Sequence, residues 1–174
     1  MMMDTRADLD AVMAGLAKVE EYAADAEVVA HVDTPISKWS IGQHLHHVAI
    51  STSSMGMVVR GILKGRTEAV MPDPDQAAVA RAIFETGQIP RGKGKAPDGA
   101  VPEDAPTGEE ILAAVQKARS RWSSLMDKHV ELENSIGRLP HPLLGPLTAA
   151  EWVRFTAVHE EHHLHIIAEI LAAR

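Results

Sequence analysis

The chain contains no cysteine, and this absence excludes several kinds of chemistry at once. It excludes disulfide bonds, thiolate metal sites and a cysteine nucleophile. Any site for a soft transition metal must therefore be built from imidazole side chains. Histidine, by contrast, occurs 10 times, and most of these residues fall in two short clusters at positions 44–47 and 159–165.

Long apolar runs and an excess of basic residues are also missing. No stretch approaches the roughly 18 consecutive apolar residues of a membrane span, and the first residues lack the basic start and apolar run of a signal peptide. We therefore expect a cytoplasmic protein with no membrane partner. The chain has 17 Lys and Arg against 24 Asp and Glu, and a formal charge of -7 would repel a nucleic-acid backbone.

The remaining composition is typical of a soluble globular protein. The chain has 174 residues, of which 45% are hydrophobic and 24% are charged. This length is sufficient for one core and too short for two ordinary domains. We expect a single domain over residues 1–174.

Apolar residues recur every three or four positions in four long segments, which is the spacing of amphipathic helices. The pattern predicts helices over residues 5–30, 40–63, 107–132 and 149–174, with a short extra helix over 75–84. A capping box is predicted at the start of each long helix, formed by Thr5 and Asp8, Ser40 and Gln43, Thr107 and Glu110, and Thr148 and Glu151.

The rest of the chain is predicted to be irregular. Residues 87–106 form a long loop that is rich in proline and glycine, and no alternating strand pattern of useful length occurs anywhere. Four long helices without strands predict an all-α fold, an antiparallel four-helix bundle.

Two histidines of the last helix fall on its apolar face. His159 and His163 are one helical turn apart, so both rings can reach the same cation. They could instead be core residues that hydrogen-bond to neighbours. The segment from His159 to His163 also matches the zinc-protease helix motif, with Glu160 beside the first histidine. We interpret this match as chance, because Glu160 projects away from the histidine face and no strand-rich protease context surrounds it.

The cluster at the start of the second helix offers a third imidazole. Helical phase favours His44, which lies nearer the centre of the apolar stripe than His47 does. Sites between helices of a bundle also use flanking positions, so phase alone leaves both residues as candidates. Three histidines with one open coordination position are typical of a catalytic zinc site.

These residues resemble a known family. The segment from Trp39 to His47, followed later by His159 and His163, resembles the DinB-like superfamily of helical-bundle metalloproteins, which includes the YfiT-like metal-dependent hydrolases. The segment from His141 to Thr148 further resembles one branch of that superfamily, whose function is not established. The resemblance implies that His47, His159 and His163 are the metal ligands.

The resemblance also implies a class of chemistry. A divalent ion, nickel or zinc first and iron as a further candidate, would activate water or a low-molecular-weight thiol. We expect a hydrolase or a thiol transferase that acts on a small molecule, with a thiol as the cosubstrate in the second case. Four further residues are candidates to support the ligands or to touch the substrate. They are His44, His141, Glu151 and His162.

Two other functions remain open on the sequence. The protein could be a non-catalytic metal-binding bundle with a structural or metal-sensing role, or a helical dimer whose histidines belong to the core and bind no metal. We expect a homodimer, and apolar faces such as Val12 with Leu16 or Trp122 with Met126 are candidates for its interface.

Overall fold

The computed structural model describes residues 4–71, 73–92, 96, 98–102 and 104–174. These residues are mostly helical, which confirms the all-α class. The helices are α1 (Thr5–Ala23), α2 (Ala26–Ala30), α3 (Ile41–Leu63), α4 (Pro74–Thr86), α5 (Gly108–Ser123), α6 (His129–Asn134) and α7 (Ala149–Ala172). Short 3-10 turns cover Asp98–Ala100 and Met126–Lys128, and two strands, β1 (Arg138–His141) and β2 (Gly145–Thr148), pair as an antiparallel hairpin.

The four long helices pack into a bundle in which α3 contacts both α5 and α7, and α1 contacts the same two helices. Side-chain contacts give the directions. Thr52 of α3 bonds to Glu160, and Met55, further along α3, accepts a hydrogen bond from Thr156, which comes earlier in α7. The α3 and α7 helices are therefore antiparallel. The α1 and α5 helices are antiparallel by the same criterion, because Arg119 pairs with Glu20 while Gly108 lies against Ala23.

The other two contacting pairs run parallel. Asp8 pairs with Arg154, and Gly15, further along α1, lies against Glu160, so α1 and α7 point the same way. The α3 and α5 helices are also parallel. Two neighbouring parallel helices cannot be joined by a short loop. This explains the long connection over residues 64–107, which contains α4 and the proline- and glycine-rich loop.

The first helix is shorter than predicted. It begins after Asp4, whose carboxylate accepts a hydrogen bond from the amide of Ala7, so the predicted capping box of Thr5 and Asp8 is wrong. It ends at Ala23 because the carboxylate of Asp25 accepts from the amides of Glu27 and Val28 and caps a separate helix. In both cases an aspartate provides the N-cap, because its short side chain can accept hydrogen bonds from the free amides of the first helical turn.

The region after α5 also differs from the prediction. The long helix predicted to reach residue 132 ends at Ser123, and a 3-10 turn leads into α6. The sequence does not predict the hairpin, because each strand has only four residues and carries a proline, with Pro140 opposite Pro146 in the register. The three other predicted capping boxes, at Ser40, Thr107 and Thr148, are confirmed.

The apolar core holds the bundle together. Val12, Leu16 and Trp122 are fully buried in it. Trp122 packs against Gly56, and its indole N–H donates to the carbonyl of Thr52 at 2.8 Å. The two faces suggested above for a dimer interface are therefore built largely from core residues.

Within the described part of the chain, no helix combines the length and the apolar character needed to cross a membrane.

One acidic residue lies inside the core. Glu160 is 1% exposed, accepts a hydrogen bond from the hydroxyl of Thr52 at 2.8 Å and faces Gly15. Its other carboxylate oxygen has no partner among the described residues. Burial raises the pKa of Glu160 well above its ordinary value, and the hydrogen bond from Thr52 opposes this only in part.

We expect Glu160 to make the folded chain less stable as the pH rises. A raised carboxyl pKa means that its contribution to stability is present below the ordinary value of 4.5 and is lost as the pH rises toward the pKa of the folded chain. Within that window the loss is about 1.4 kcal/mol per pH unit. Glu160→Gln, which does not titrate, removes this slope.

Urea unfolding of both proteins in EDTA, at several pH values from about 5 to about 8, measures the difference. The free energy of unfolding of the variant should rise relative to that of the parent as the pH increases. Two curves that stay parallel across this range would contradict a buried, proton-retaining Glu160.

Candidate metal centre

Three histidines from two helices meet between α3 and α7. His47, near the start of α3, lies beside His159 and His163, which occupy successive turns of α7. One ring nitrogen from each residue can be chosen so that all three atoms lie within 4.8 Å of one another. His47 and His163 are buried, and His159 is half-buried. A group of this kind could hold a metal ion.

The ring of His47 is fixed by a backbone carbonyl. Its Nδ1 lies 2.6 Å from the carbonyl oxygen of Ala100 and donates a hydrogen bond to it. The proton therefore resides on Nδ1, and Nε2 carries a lone pair. That Nε2 faces Nε2 of His159 at 3.1 Å. A hydrogen bond on the far nitrogen is the usual support of a metal-binding histidine.

The ring of His163 is supported by a second histidine. Its Nδ1 lies 3.0 Å from Nδ1 of His44, and Nε2 of His44 lies 2.9 Å from the hydroxyl of Ser37. When Nδ1 of His163 donates to His44 and His44 donates to Ser37, Nε2 of His163 is left free to bind a cation. His44, which helical phase favoured, thus lies behind His163.

The indole ring of Trp39 lies against the rings of these histidines. The ring of Trp39 stacks on that of His163, with centroids 6.2 Å apart and planes 16° apart. It also lies 5.1 Å from the ring of His47 and 5.3 Å from that of His44. In the sequence only the family resemblance points to Trp39, and its part in the structure is to hold three imidazole rings in place.

The surroundings keep these imidazoles neutral. Burial lowers the pKa of His47, and it lowers the pKa of His159 and His163 well below the usual value, with further lowering from neighbouring histidines. Burial also lowers the pKa of His44 to about 4. A neutral imidazole is the form that binds a cation. The donor set therefore fits a divalent ion such as zinc, nickel or iron.

His159 differs from the other two histidines. Its Nδ1 is buried and has no hydrogen-bond partner among the described residues. The ring of Phe155 lies 5.9 Å away, one turn earlier in α7. His159 is thus the most exposed and the least supported of the three.

Two of the other candidate residues lie at the edge of the cluster. The ring of His162 lies 5.1 Å from that of His163. The ring of His141 lies 4.6 Å from Phe155, on the side of His159. Nδ1 of His141 accepts hydrogen bonds from two backbone amides of the hairpin turn, so its proton resides on Nε2. Burial lowers the pKa of His141 to about 4.

Glu151 lies outside the cluster. Its carboxylate accepts from the amide and the hydroxyl of Thr148 and lies 3.3 Å from Arg138. It precedes His159 by more than two helical turns, or roughly 12 Å along the axis. Glu160 faces Thr52 in the core. This orientation supports the interpretation of the protease-like motif as chance.

Two structural contributions are not among the sequence-based predictions, the carbonyl of Ala100 and the burial of Glu160. The carbonyl of Ala100 is a backbone group, and no side-chain pattern signals it. Burial of Glu160 did have a signal. Val153, Ala157 and Ile167 share a second buried stripe of α7 with it, at helical spacing.

Comparisons with known proteins identify the family of this chain. The family model described as the DinB superfamily matches residues 2–167. The chain is also 27% identical over 134 residues to the Uncharacterized protein YuaE of Bacillus subtilis (strain 168), which covers 76% of this chain and 77% of that protein. No solved structure gives a significant match. This chain therefore belongs to the DinB superfamily.

Proposed function

We propose that this protein is a metalloenzyme whose divalent ion is held by His47, His159 and His163. The observation that carries the proposal is the convergence of three neutral imidazoles, two of them supported from behind by Ala100 and His44. Nickel and zinc are the first candidates and iron is a further one, because all of them accept imidazole. The absence of a carboxylate from the set leaves the three ligands uncharged.

The reaction we propose is hydrolysis or thiol transfer on a small molecule. When bound, such an ion supplies Lewis acidity that lowers the pKa of water or of a thiol cosubstrate, so that a nucleophile exists near neutral pH. The chain has no thiol of its own, so a thiol must come from outside.

The chain's own residues define how a substrate would approach. His47 and His163 are buried beneath Trp39 and the segment that carries Ala100, which leaves the side of His159 for entry. His141 lies on that side. Since Nδ1 of His141 already accepts two amide protons, its Nε2–H is available to donate to a substrate oxygen or sulfur. His162 lies beside His163 rather than beside His159.

A structural or metal-sensing site is the second candidate function, and one observation favours it. His47 is 5% exposed and His163 is 8% exposed, whereas catalysis requires a position open to substrate. The two functions differ in what happens when the metal is removed.

Substitution of a ligand should abolish metal binding. We expect about one nickel, zinc or iron ion per chain in the untagged protein and little in His159→Ala or His163→Ala. His165→Ala, an exposed histidine of the same helix, is the matched control and should retain the ion. Elemental analysis after incubation with each ion measures this. A parent protein that takes up no ion would refute the metal site.

Substitution of His44 should weaken the site without removing a ligand. His44→Phe leaves Nδ1 of His163 without its partner, and we expect a loss of about 10- to 100-fold in metal affinity. Ser37→Ala, one step further out, should cost less. Competition with a chromophoric chelator gives both affinities. Equal affinities in parent and His44→Phe would show that the hydrogen bond between His44 and His163 contributes nothing.

Metal removal should leave a catalytic protein folded. Two clusters of buried apolar residues hold the bundle without help from the histidines. We therefore expect the helical circular dichroism to survive chelation, with only a modest fall in melting temperature. Loss of helix on chelation would favour the structural role. The folded metal-loaded protein is then screened for hydrolysis and thiol transfer against His163→Ala.

A further inference from the structure

A cavity lined by the described residues lies away from the three clustered histidines. It has a volume of about 610 Å³ and opens between the start of α1, α4, the hairpin and the start of α7. None of the three clustered histidines lines it. The last α7 residue that does, Arg154, precedes His159 by more than one helical turn. The size suits a small molecule.

The wall of this cavity contains a buried carboxylate with unused capacity. Asp8 is 5% exposed, and its Oδ1 accepts a hydrogen bond from Nη1 of Arg154 at 2.9 Å. Its Oδ2 is buried and has no partner among the described residues. Burial raises the pKa of Asp8 although Arg154 opposes the shift. A buried acceptor of this kind lacks a donor, and a ligand can supply one.

The rim of the cavity carries a cation that lacks an acceptor. Arg81 of α4 lines the cavity, is exposed, and forms no hydrogen bond or ion pair with any residue that the structure describes. A free guanidinium is suited to a carboxylate, which it can bind through two parallel hydrogen bonds. Glu85, four residues later on α4, lines the same rim.

Of the other charged groups at the cavity, Glu85 at the rim has no hydrogen bond or ion pair among the described residues, and the rest are already engaged. Asp4 caps α1 through the amide of Ala7, and Glu151 caps α7 and pairs with Arg138. Between the polar groups the wall is apolar and includes Phe84 of α4 and Leu147 of β2. The cavity therefore offers one unsatisfied buried acceptor in its wall, one unpaired cation and one unpaired carboxylate at its rim, and an apolar surface.

We propose that this cavity binds a small zwitterion with an apolar body, such as a free apolar α-amino acid. Its ammonium donates to the carboxylate of Asp8, its carboxylate accepts from Arg81, and its side chain packs on Phe84 and Leu147. A simple anion would leave Asp8 without a donor, and a simple cation would leave Arg81 without an acceptor. The site is independent of the metal, so its existence does not rest on the proposed function.

Calorimetric titration of the full chain with three matched probes tests this. The probes are L-phenylalanine, 3-phenylpropionate, which lacks the ammonium, and 2-phenylethylamine, which lacks the carboxylate. We expect L-phenylalanine to bind at least about tenfold more tightly than either of the others, since each charged hydrogen bond contributes to affinity.

Single substitutions test which residue binds each charged group of the ligand. Arg81→Ala, at an exposed position of α4, should weaken the binding of L-phenylalanine and of 3-phenylpropionate about tenfold. It should leave the affinity for 2-phenylethylamine unchanged. Asp8→Asn should weaken the binding of L-phenylalanine and of 2-phenylethylamine, and it should leave the affinity for 3-phenylpropionate unchanged. Lys117→Ala removes one positive charge from the exposed surface of α5 and is the control. Because Asp8 is buried, circular dichroism must first show that Asp8→Asn folds, and Arg81→Ala decides the matter if it does not.

Three results would overturn the proposal. They are no heat with any probe at millimolar concentration, equal affinity for all three probes, and the same loss in Lys117→Ala as in Arg81→Ala.

Discussion

The antiparallel packing of α3 against α7 is the constraint on which the candidate site depends. It sets His47 against His159 and His44 against His163, with the two pairs one turn apart on each helix. The register is held from the core side by the hydrogen bond between Thr52 and Glu160. A shift of one helical turn moves a side chain by about 5.4 Å, which is more than the whole spread of the three ring nitrogens.

The order and direction of the helices also help to position the candidate site. Because α3 and α5 run parallel, the chain must cross the length of the bundle between them. That crossing brings Ala100 to the surface of the α3 helix, where its carbonyl fixes the tautomer of His47. The long connection is thus both a consequence of the topology and a part of the site. The same connection carries α4, whose Arg81 and Phe84 form one wall of the cavity that contains Asp8.

The helices were predictable where the sequence carries a local signal. Ser40, Thr107 and Thr148 sit before apolar stripes and were identified as caps, because capping depends on a few neighbouring residues. The sequence does not predict Asp4 as the cap of α1, because Thr5 and Asp8 have the same spacing as a capping box. The hairpin was missed because strands of four residues with proline lack a clear alternation.

The site was predictable only in part. Helical phase identified His159 and His163 as neighbours on a buried face, but it could not separate His44 from His47, since both lie on buried positions of α3. The choice of His47 came from the family resemblance. The outer partners depend on tertiary contacts between residues far apart in sequence, such as Ala100 with His47. No local pattern encodes such contacts.

The most direct measurement of the central proposal is X-ray absorption spectroscopy of the zinc-loaded protein. It counts the imidazole ligands and gives their distance from the ion. We expect three imidazole nitrogens at about 2.0–2.1 Å, with the remaining position filled by an oxygen donor such as water. One imidazole or none in the first coordination shell would contradict a centre built from His47, His159 and His163.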